Sequence, residues 1–328
     1  MSTAPASGHA LVTGGAGFLG SNLVRRLLTL GQRVVVLDAM VPGSGANSAN
    51  LADVKGGLAG WIEADLAEDR GWIQALEGAS VVFHLAAQTS HLSSMTHPLN
   101  DLRANVAATL QLLEAMREAA PHARIVFTST RQVYGRPQSL PVNESHPRVP
   151  PDVNAVHKLA AEEYLRVFGR TERFAGVILR LTNTYGPRMR VCDARQTFVG
   201  HWVRLALEGE EIPLYGDGTQ LRDLTYVDDC VEALITAVSL ASPDVPTYNL
   251  GGEVMALREI ADALIRSAGM GSHRVVPFPP ERQRIDIGSY RADDTAFRTA
   301  TGWSPTVPFT AGIERTIDYY RTRRNLYW

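Results

Sequence analysis

Through the first half of the chain, short apolar runs alternate with longer stretches whose apolar residues recur at helical spacing. The runs Ala10–Thr13, Val34–Asp38, Trp61–Ala64, Ser80–Leu85, Arg124–Thr128 and Gly176–Leu181 predict strands. Between them, Leu19–Leu30, Gly71–Leu76, Leu99–Ala119 and Asn154–Gly169 predict helices. Such alternation is what a parallel sheet covered by helices on both faces requires. The expected class is α/β, a doubly wound parallel sheet. Met40–Gly60 is rich in Gly, Ser, Asn and Ala without periodicity, and predicts a long, mobile loop.

After Leu181 the pattern changes. Helix-like Thr197–Glu208 leads to a short Ile212–Tyr215 run and a turn at Gly216-Asp217-Gly218. Strand-like Leu221–Val227, helix-like Asp228–Leu240 and strand-like Thr247–Leu250 follow, then helices over Ala256–Ala268 and Phe309–Arg321. This predicts a first domain over residues 1–181, rejoined by segments from about 220–250, and a smaller α/β substrate lobe over 182–328. Ligands of open α/β sheets lie outside the carboxyl ends of the strands, so the cleft is expected between that edge and the second lobe.

The segment Thr13-Gly14-Gly15-Ala16-Gly17-Phe18-Leu19-Gly20 sits between the first strand and the first helix. A glycine turn there lets backbone approach a pyrophosphate, which then meets the positive end of the helix. The second strand closes with Asp38, an acid suited to accept hydrogen bonds from adenosine ribose hydroxyls. A 2′-phosphate would meet the like charge of that carboxylate, so the pattern favours NAD over NADP.

Composition narrows the partners. Net charge is −2, with no basic or acidic block, which argues against nucleic acid and anionic membrane surfaces. No apolar run reaches the roughly 18 residues of a membrane span. Met1–Gly8 is polar and lacks a signal-peptide pattern. Cys192 and Cys230 form neither a disulfide framework nor a metal spacing, so a reducing cytoplasm is the expected compartment and no metal is expected. Of 32 basic residues only Lys55 and Lys158 are lysines, which marks Lys158 as a place where a compact ammonium is needed.

Four sites are expected to converge on the cleft. His84-Leu85-Ala86-Ala87-Gln88 ends an apolar strand in small residues, with His84 read as a structural histidine. Thr128-Ser129-Thr130 ends another in hydroxyls that can donate to a substrate oxygen. Lys158 lies on the helix beginning near Asn154, and Asn183-Thr184-Tyr185-Gly186-Pro187-Arg188 makes a polar turn.

With these residues in order, the chain resembles the extended short-chain dehydrogenases/reductases of the nucleotide-sugar epimerase and dehydratase type. The likeness also covers Asp65-Leu66, Asn105, Val133-Tyr134-Gly135, Lys158-Leu159-Ala160-Ala161-Glu162, Arg222-Asp223 and Val227-Asp228-Asp229. It implies a Rossmann-type domain holding NAD against Gly14, Gly17, Phe18, Leu19, Asp38, Asp65, Leu66, Leu85, Ala86, Ala87, Gln88 and Asn105. It further implies that Lys158 bonds the nicotinamide ribose and that a nucleotide-diphosphate sugar is the substrate. Asn183 would touch the diphosphate and Tyr215 the nucleobase. Arg222 and an arginine near Asp286, Arg282 or Arg284, would neutralise the diphosphate. By the same likeness, the helices Leu99–Ala119 and Asn154–Gly169 would pair in a homodimer.

The chain departs from that family at one decisive place. Members carry tyrosine four residues before the lysine as the base; here the position is Asn154, which can hold a hydroxyl or a water but cannot take a proton. Thr130-Arg131-Gln132 also replaces the Thr-Asp-Glu of dehydratases and the Ser-Glu of decarboxylases. What remains is transient oxidation of a sugar carbon and return of hydride, as in epimerases, with Thr130, Lys158 and Asn154 at the reacting centre. The alternatives are a dehydratase or decarboxylase with rearranged acids, and a non-catalytic protein that binds NAD and nucleotide sugar. Among His91, His157, Glu144 and Cys192 as substitute bases, His91 is the best placed. His157 is about 100° around the helix from Lys158 and is expected to face away.

Overall fold

The computed structural model describes residues 8–68 and 70–328, so the polar segment Met1–Ser7 lies outside the described residues. Six strands, β1 (His9–Thr13), β2 (Val34–Asp38), β3 (Gly60–Glu63), β4 (Ala79–His84), β5 (Arg124–Thr130) and β6 (Gly176–Leu181), build most of a parallel sheet. β7 (Asn183–Tyr185), β8 (Glu211–Tyr215) and β9 (Leu221–Tyr226) lie outside it, while β10 (Thr247–Leu250) returns to its edge. The sheet order is β3-β2-β1-β4-β5-β6-β10, all neighbours parallel.

Alternation along the strands sorts side chains to the two faces. Ala10, Val12, Val34, Val36, Phe83, Val126, Val177 and Leu179 enter one core, together with Leu23, Val24 and Leu27 of helix α1 (Phe18–Thr29). Leu11, Val35, Leu37, Val82, Ile125, Phe127 and Ile178 enter the other, against Trp72, Leu112, Leu113, Met116, Ala161 and Leu165. Helix α1 ends as sequence chemistry dictates. Gly31 takes a φ of +73°, and the N–H of Gln32 turns back to the Leu27 carbonyl.

The predicted helix Leu99–Ala119 is broken. Short helices α2 (His91–Thr96) and α3 (Pro98–Leu102) precede a π-turn over Arg103–Ala107, and α4 spans Ala108–Ala119. In the wide turn Asn105 reaches back to the Asp101 carboxylate at 3.0 Å, and Thr109 donates to the Asn105 carbonyl at 2.7 Å. Such local bulges are a common device where a helix must aim side chains at a site. Gly71–Leu76 is a 3-10 helix, and α5 (Val153–Glu172) begins at an Asp152 side-chain cap.

Met40–Gly60 is more constrained than its composition predicts. It carries 3-10 turns at Ser48–Asn50 and Lys55–Gly57, and Asn50 and Leu51 are buried. Asn50 Nδ2 donates to the Ala16 carbonyl at 2.9 Å, and Tyr327 donates to Asn50 Oδ1 at 2.6 Å. Asn47 Nδ2 donates to the Leu326 carbonyl.

The second lobe holds a three-stranded sheet, β11 (Glu253–Ala256) against β9 against β7, and a parallel pair of β8 with β12 (Ser272–Val276). Helices α6 (Phe198–Glu208), α7 (Val227–Ala237) and α8 (Leu257–Ala268) pack around it and onto the first core. β9 therefore belongs to the small sheet, and only the chain from α7 to β10 rejoins the large one. Among the described residues no helix is long and apolar enough to cross a membrane, and both cysteines are free thiols.

Two glycines in left-handed conformations separate backbone strain from close approach. Gly31 has open space where a Cβ would go; a Cβ on Gly14, at φ +68°, would sit 2.7 Å from the Ala86 nitrogen. Gly31→Ala should lower unfolding free energy by about 1–2 kcal/mol in urea titration, the strain term alone. Gly14→Ala should cost clearly more and weaken dinucleotide binding. Equal costs would mean the Ala86 contact yields freely.

Candidate functional site

The carboxyl ends of β1, β2 and β4 meet around the glycine turn. The Gly14 amide bonds the Leu37 carbonyl at 2.8 Å, and the Gly17 amide returns to the Gly14 carbonyl at 3.1 Å, so the turn closes on itself. Gly17 caps α1 with no side chain, leaving the first helical amides of Phe18 and Leu19 without intrahelical acceptors. That arrangement is an anion site built of backbone. Asp38 Oδ2 accepts from Ala16 N and Oδ1 from Met40 N, each at 2.9 Å. Burial pushes its carboxyl above the usual range and those amides oppose the shift. Each carboxylate oxygen keeps a second lone pair, enough for two ribose hydroxyls.

Opposite lie Leu85, Ala86, Ala87 and Gln88, all half-buried. Their strand is locked by His84. Thr13 Oγ1 lies 2.9 Å from His84 Nδ1 and takes the amides of Leu85 and Ala86 at 3.2 Å. Thr109 Oγ1 lies 3.0 Å from Nε2 and donates its own proton to Asn105. The ring is therefore neutral, with its proton on Nε2, and burial pushes its pKa down to about 3. His84 is a structural clamp. Asp65 Oδ1 accepts from Ala67 N at 2.8 Å, and Leu66 is buried in the core beside it.

The reacting end gathers around α5. Lys158 is buried, its ammonium donating to the Thr128 carbonyl at 3.0 Å and standing 4.8 Å from the Phe127 ring centre. Burial pulls its pKa down to about 8, against the pull of Asp101 and Glu162. Two of its three donors remain for a ligand. Thr130 is half-buried and its Oγ1 accepts from the Gln132 amide at 3.2 Å, leaving its hydroxyl proton available. Ser129 points the other way, 2.5 Å from Glu162, which grips Arg180; Arg180 in turn bonds Tyr134. That network holds the Tyr134 hydroxyl, and burial pushes its pKa up.

Asn154 is more constrained than a substrate-positioning role suggests. It is 2 % exposed, and its Nδ2 donates to the Gln88 carbonyl at 2.8 Å and to Asp101 Oδ2 at 3.0 Å. Both amide protons are engaged, so only Oδ1 can meet a substrate hydroxyl, as acceptor. Asn105 shares the same partners, donating to Gln88 O and Asp101 Oδ1. It therefore shapes the cofactor wall through Gln88. His157 does not face away: its Nδ1 lies 2.7 Å from Asp101 Oδ1. The fully buried Asp101, which sequence reasoning missed, ties α3, the π-turn and the first turn of α5 together.

A second buried acid lies one turn earlier. Asp152 caps α5 through Ala155 N at 2.8 Å and accepts from Gln132 Nε2 at 3.1 Å. His91 Nδ1 lies 3.0 Å from Asp152 Oδ2, in ion-pair range though off the line of a hydrogen bond. Burial works against the charge of Asp152, but His91, the Ala155 amide and Gln132 together hold its carboxyl below the usual range. No partner bonds His91 Nε2 among the described residues, and the side chain is one-third exposed.

On the second lobe, Asn183 donates to the Asp223 carbonyl at 3.3 Å. The Tyr215 ring lies 5.4 Å from Phe278, with the Arg282 guanidinium 5.6 Å above it. Of the two arginines offered near Asp286, Arg282 joins this stack, whereas Arg284 is exposed and its side chain makes no hydrogen bond or ion pair with the described residues. Arg222 is also not poised as expected. Its guanidinium is engaged by the Leu221 and Gly288 carbonyls, Gln220 Oε1 and Asp286 Oδ1. The sequence carried no sign of this, because those acceptors arrive from a loop 64 to 66 residues away.

Comparison with known proteins agrees with the geometry. Residues 10–251 match the model of the NAD dependent epimerase/dehydratase family. The chain is 33 % identical to a UDP-glucose 4-epimerase of Mycolicibacterium smegmatis, over 96 % of this chain and 99 % of that one. It is 31 % identical to a dTDP-glucose 4,6-dehydratase of Streptomyces niveus, covering 96 % and 93 %. The structure of a Thermus thermophilus UDP-glucose 4-epimerase in complex with NAD superposes with a TM-score of 0.85, at 32 % identity and covering 96 % and 99 %. With a glycine turn, the buried Asp38 carboxylate and a buried lysine set along one sheet edge, the chain belongs to the NAD dependent epimerase/dehydratase family.

Proposed function

We propose that this protein is an NAD-dependent nucleotide-sugar epimerase. The residues present fit NAD: a backbone anion site at α1, the Asp38 carboxylate, and a wall of small residues packed against Gly14. When bound, NAD supplies an acceptor and donor of hydride. Lys158 offers two free ammonium donors to the nicotinamide ribose, and Thr130 donates to the sugar oxygen beside the carbon that is oxidised.

One observation carries the choice of epimerisation. Elimination or decarboxylation by the family's route needs a carboxyl group after Thr130, and there the chain has Gln132. Its amide is bound to Asp152 and the Ile285 carbonyl. The two positions after Thr130, Arg131 and Gln132, thus carry no carboxyl group for either route.

The hydroxyl proton goes to His91. Neither ring nitrogen has a hydrogen-bond partner among the described residues; Nδ1 is buried beside the Asp152 carboxylate, which stabilises the imidazolium that proton uptake at Nε2 creates. Asn154 Oδ1 accepts from the hydroxyl and orients it. The same imidazolium returns the proton to the sugar oxygen of the epimer, so His91 ends the cycle neutral.

The outer faces of α3 and α5 expose Leu99, Leu102, Val156, Tyr164 and Val167. These helices pack together, and their apolar face suits a second copy of the chain, making a homodimer.

The purified protein should release NAD on denaturation and should convert one UDP-, dTDP-, GDP- or CDP-sugar into an epimer of unchanged mass. Loss of water or of carbon dioxide, read by mass spectrometry, would replace this reading with dehydration or decarboxylation. His91→Gln should lower kcat about 100-fold or more with little change in nucleotide-sugar affinity, and added imidazole should restore part of it. Unchanged turnover would remove His91 as the base. Val156→Glu should halve the mass seen by light scattering; a monomeric wild type would rule out the dimer.

A further inference from the structure

Arg131 is the anomaly of the cleft. It follows Thr130 at the carboxyl end of β5, and its guanidinium lies 5.7 Å from the Tyr290 ring centre. No hydrogen bond or ion pair joins it to any described residue, and its Nε is shut off from water without a partner. Arg180 is matched to Glu162 and Tyr134, Arg190 to Asp193, and Arg166 to Glu162 and Glu163, and even Arg188, whose Nε is also unpartnered, bonds Asn22 Oδ1. The acids near Arg131 are already engaged. Asp223 takes the Gly252 and Ala292 amides, and Asp286 takes Gln220, Gly288 and Arg222.

Burial pushes the pKa of Arg131 down to about 10 and the Arg222 charge adds to the shift, so the group remains a cation at neutral pH. An unpaired, desolvated cation weakens a fold unless something binds it. A guanidinium presents a planar fork that matches an oxyanion through two parallel hydrogen bonds.

We infer that Arg131 is a substrate-anchoring residue that binds an oxyanion of the nucleotide sugar. The inference rests on the nucleotide-sugar reading above. Two groups on such a substrate have this chemistry: the diphosphate and a carboxylate carried by the sugar. Arg222 is committed to its own loop, whereas Arg131, next to Thr130, keeps its donors free; Arg282 and Arg284 are also unpaired but lie on the second lobe, Arg282 over Tyr215 and Arg284 exposed.

The NAD-loaded wild type, Arg131→Gln and Arg131→Lys are titrated calorimetrically with UDP, UDP-glucose and UDP-glucuronic acid, and with their dTDP, GDP and CDP counterparts. Arg131→Gln should weaken binding by about tenfold or more. A loss confined to the uronate identifies the sugar carboxylate as the partner; an equal loss for all three identifies the diphosphate. Arg131→Lys should recover part of the affinity. Without ligand, Arg131→Gln should melt no lower than the wild type, whereas a structural role would lower its Tm. If the wild type binds and Arg131→Gln matches it within about twofold on every ligand, the role of Arg131 is overturned alone. If the wild type binds none of them, the nucleotide-sugar reading falls and takes this inference with it.

Discussion

The contact between Gly14 and the Leu85–Ala86 backbone governs this molecule. It brings two parallel strands close enough to share a hydrogen-bonded edge while leaving no side chain in the space above. Thr13, His84 and Thr109 fasten that edge from beneath, each satisfying the others in a single proton arrangement. A histidine that cannot ionise is useful here because the edge keeps its shape across the pH range in which free imidazoles change charge.

The first turn of α5 is organised around two buried acids. Asp101 collects Asn154, Asn105 and His157, while Asp152 collects Gln132, Ala155 and His91. The two carboxylates hold the cofactor loop, the π-turn and the helix start in one block. Asn154 leaves no hole at this helix start: its amide donors face the protein and its oxygen is left over.

Much of this was legible in the chain. The apolar runs located the strands β1 to β6 of the large sheet, and the glycine turn with Asp38 located the dinucleotide edge. Short elements escaped because three or four residues carry no period: Asn183–Tyr185 reads as a turn and Glu253–Ala256 as a helix lead-in. Leu99–Ala119 has unbroken helical spacing, and its wide turn is marked by side-chain bonds no period shows: Asn105 to Asp101 and Gln88, and Thr109 back to Asn105. The orientation of His157 failed for a related reason. Angles around one helix say where a side chain starts, not which carboxylate a neighbouring helix supplies. The partners of Arg222 were illegible for a like reason, since what engages a guanidinium is decided by loops far away in sequence.

The stitching of Asn47 and Asn50 has a consequence for how this protein can be divided. Asn50 holds the Ala16 carbonyl inside the glycine turn, and Tyr327 and Leu326 hold Asn50 and Asn47 from 277 and 279 residues further on. The dinucleotide half is thus not a detachable module. During synthesis its adenosine-side loop acquires its last anchors only when these distant residues emerge, so a truncated fragment would present a complete sheet around an unfinished doorway.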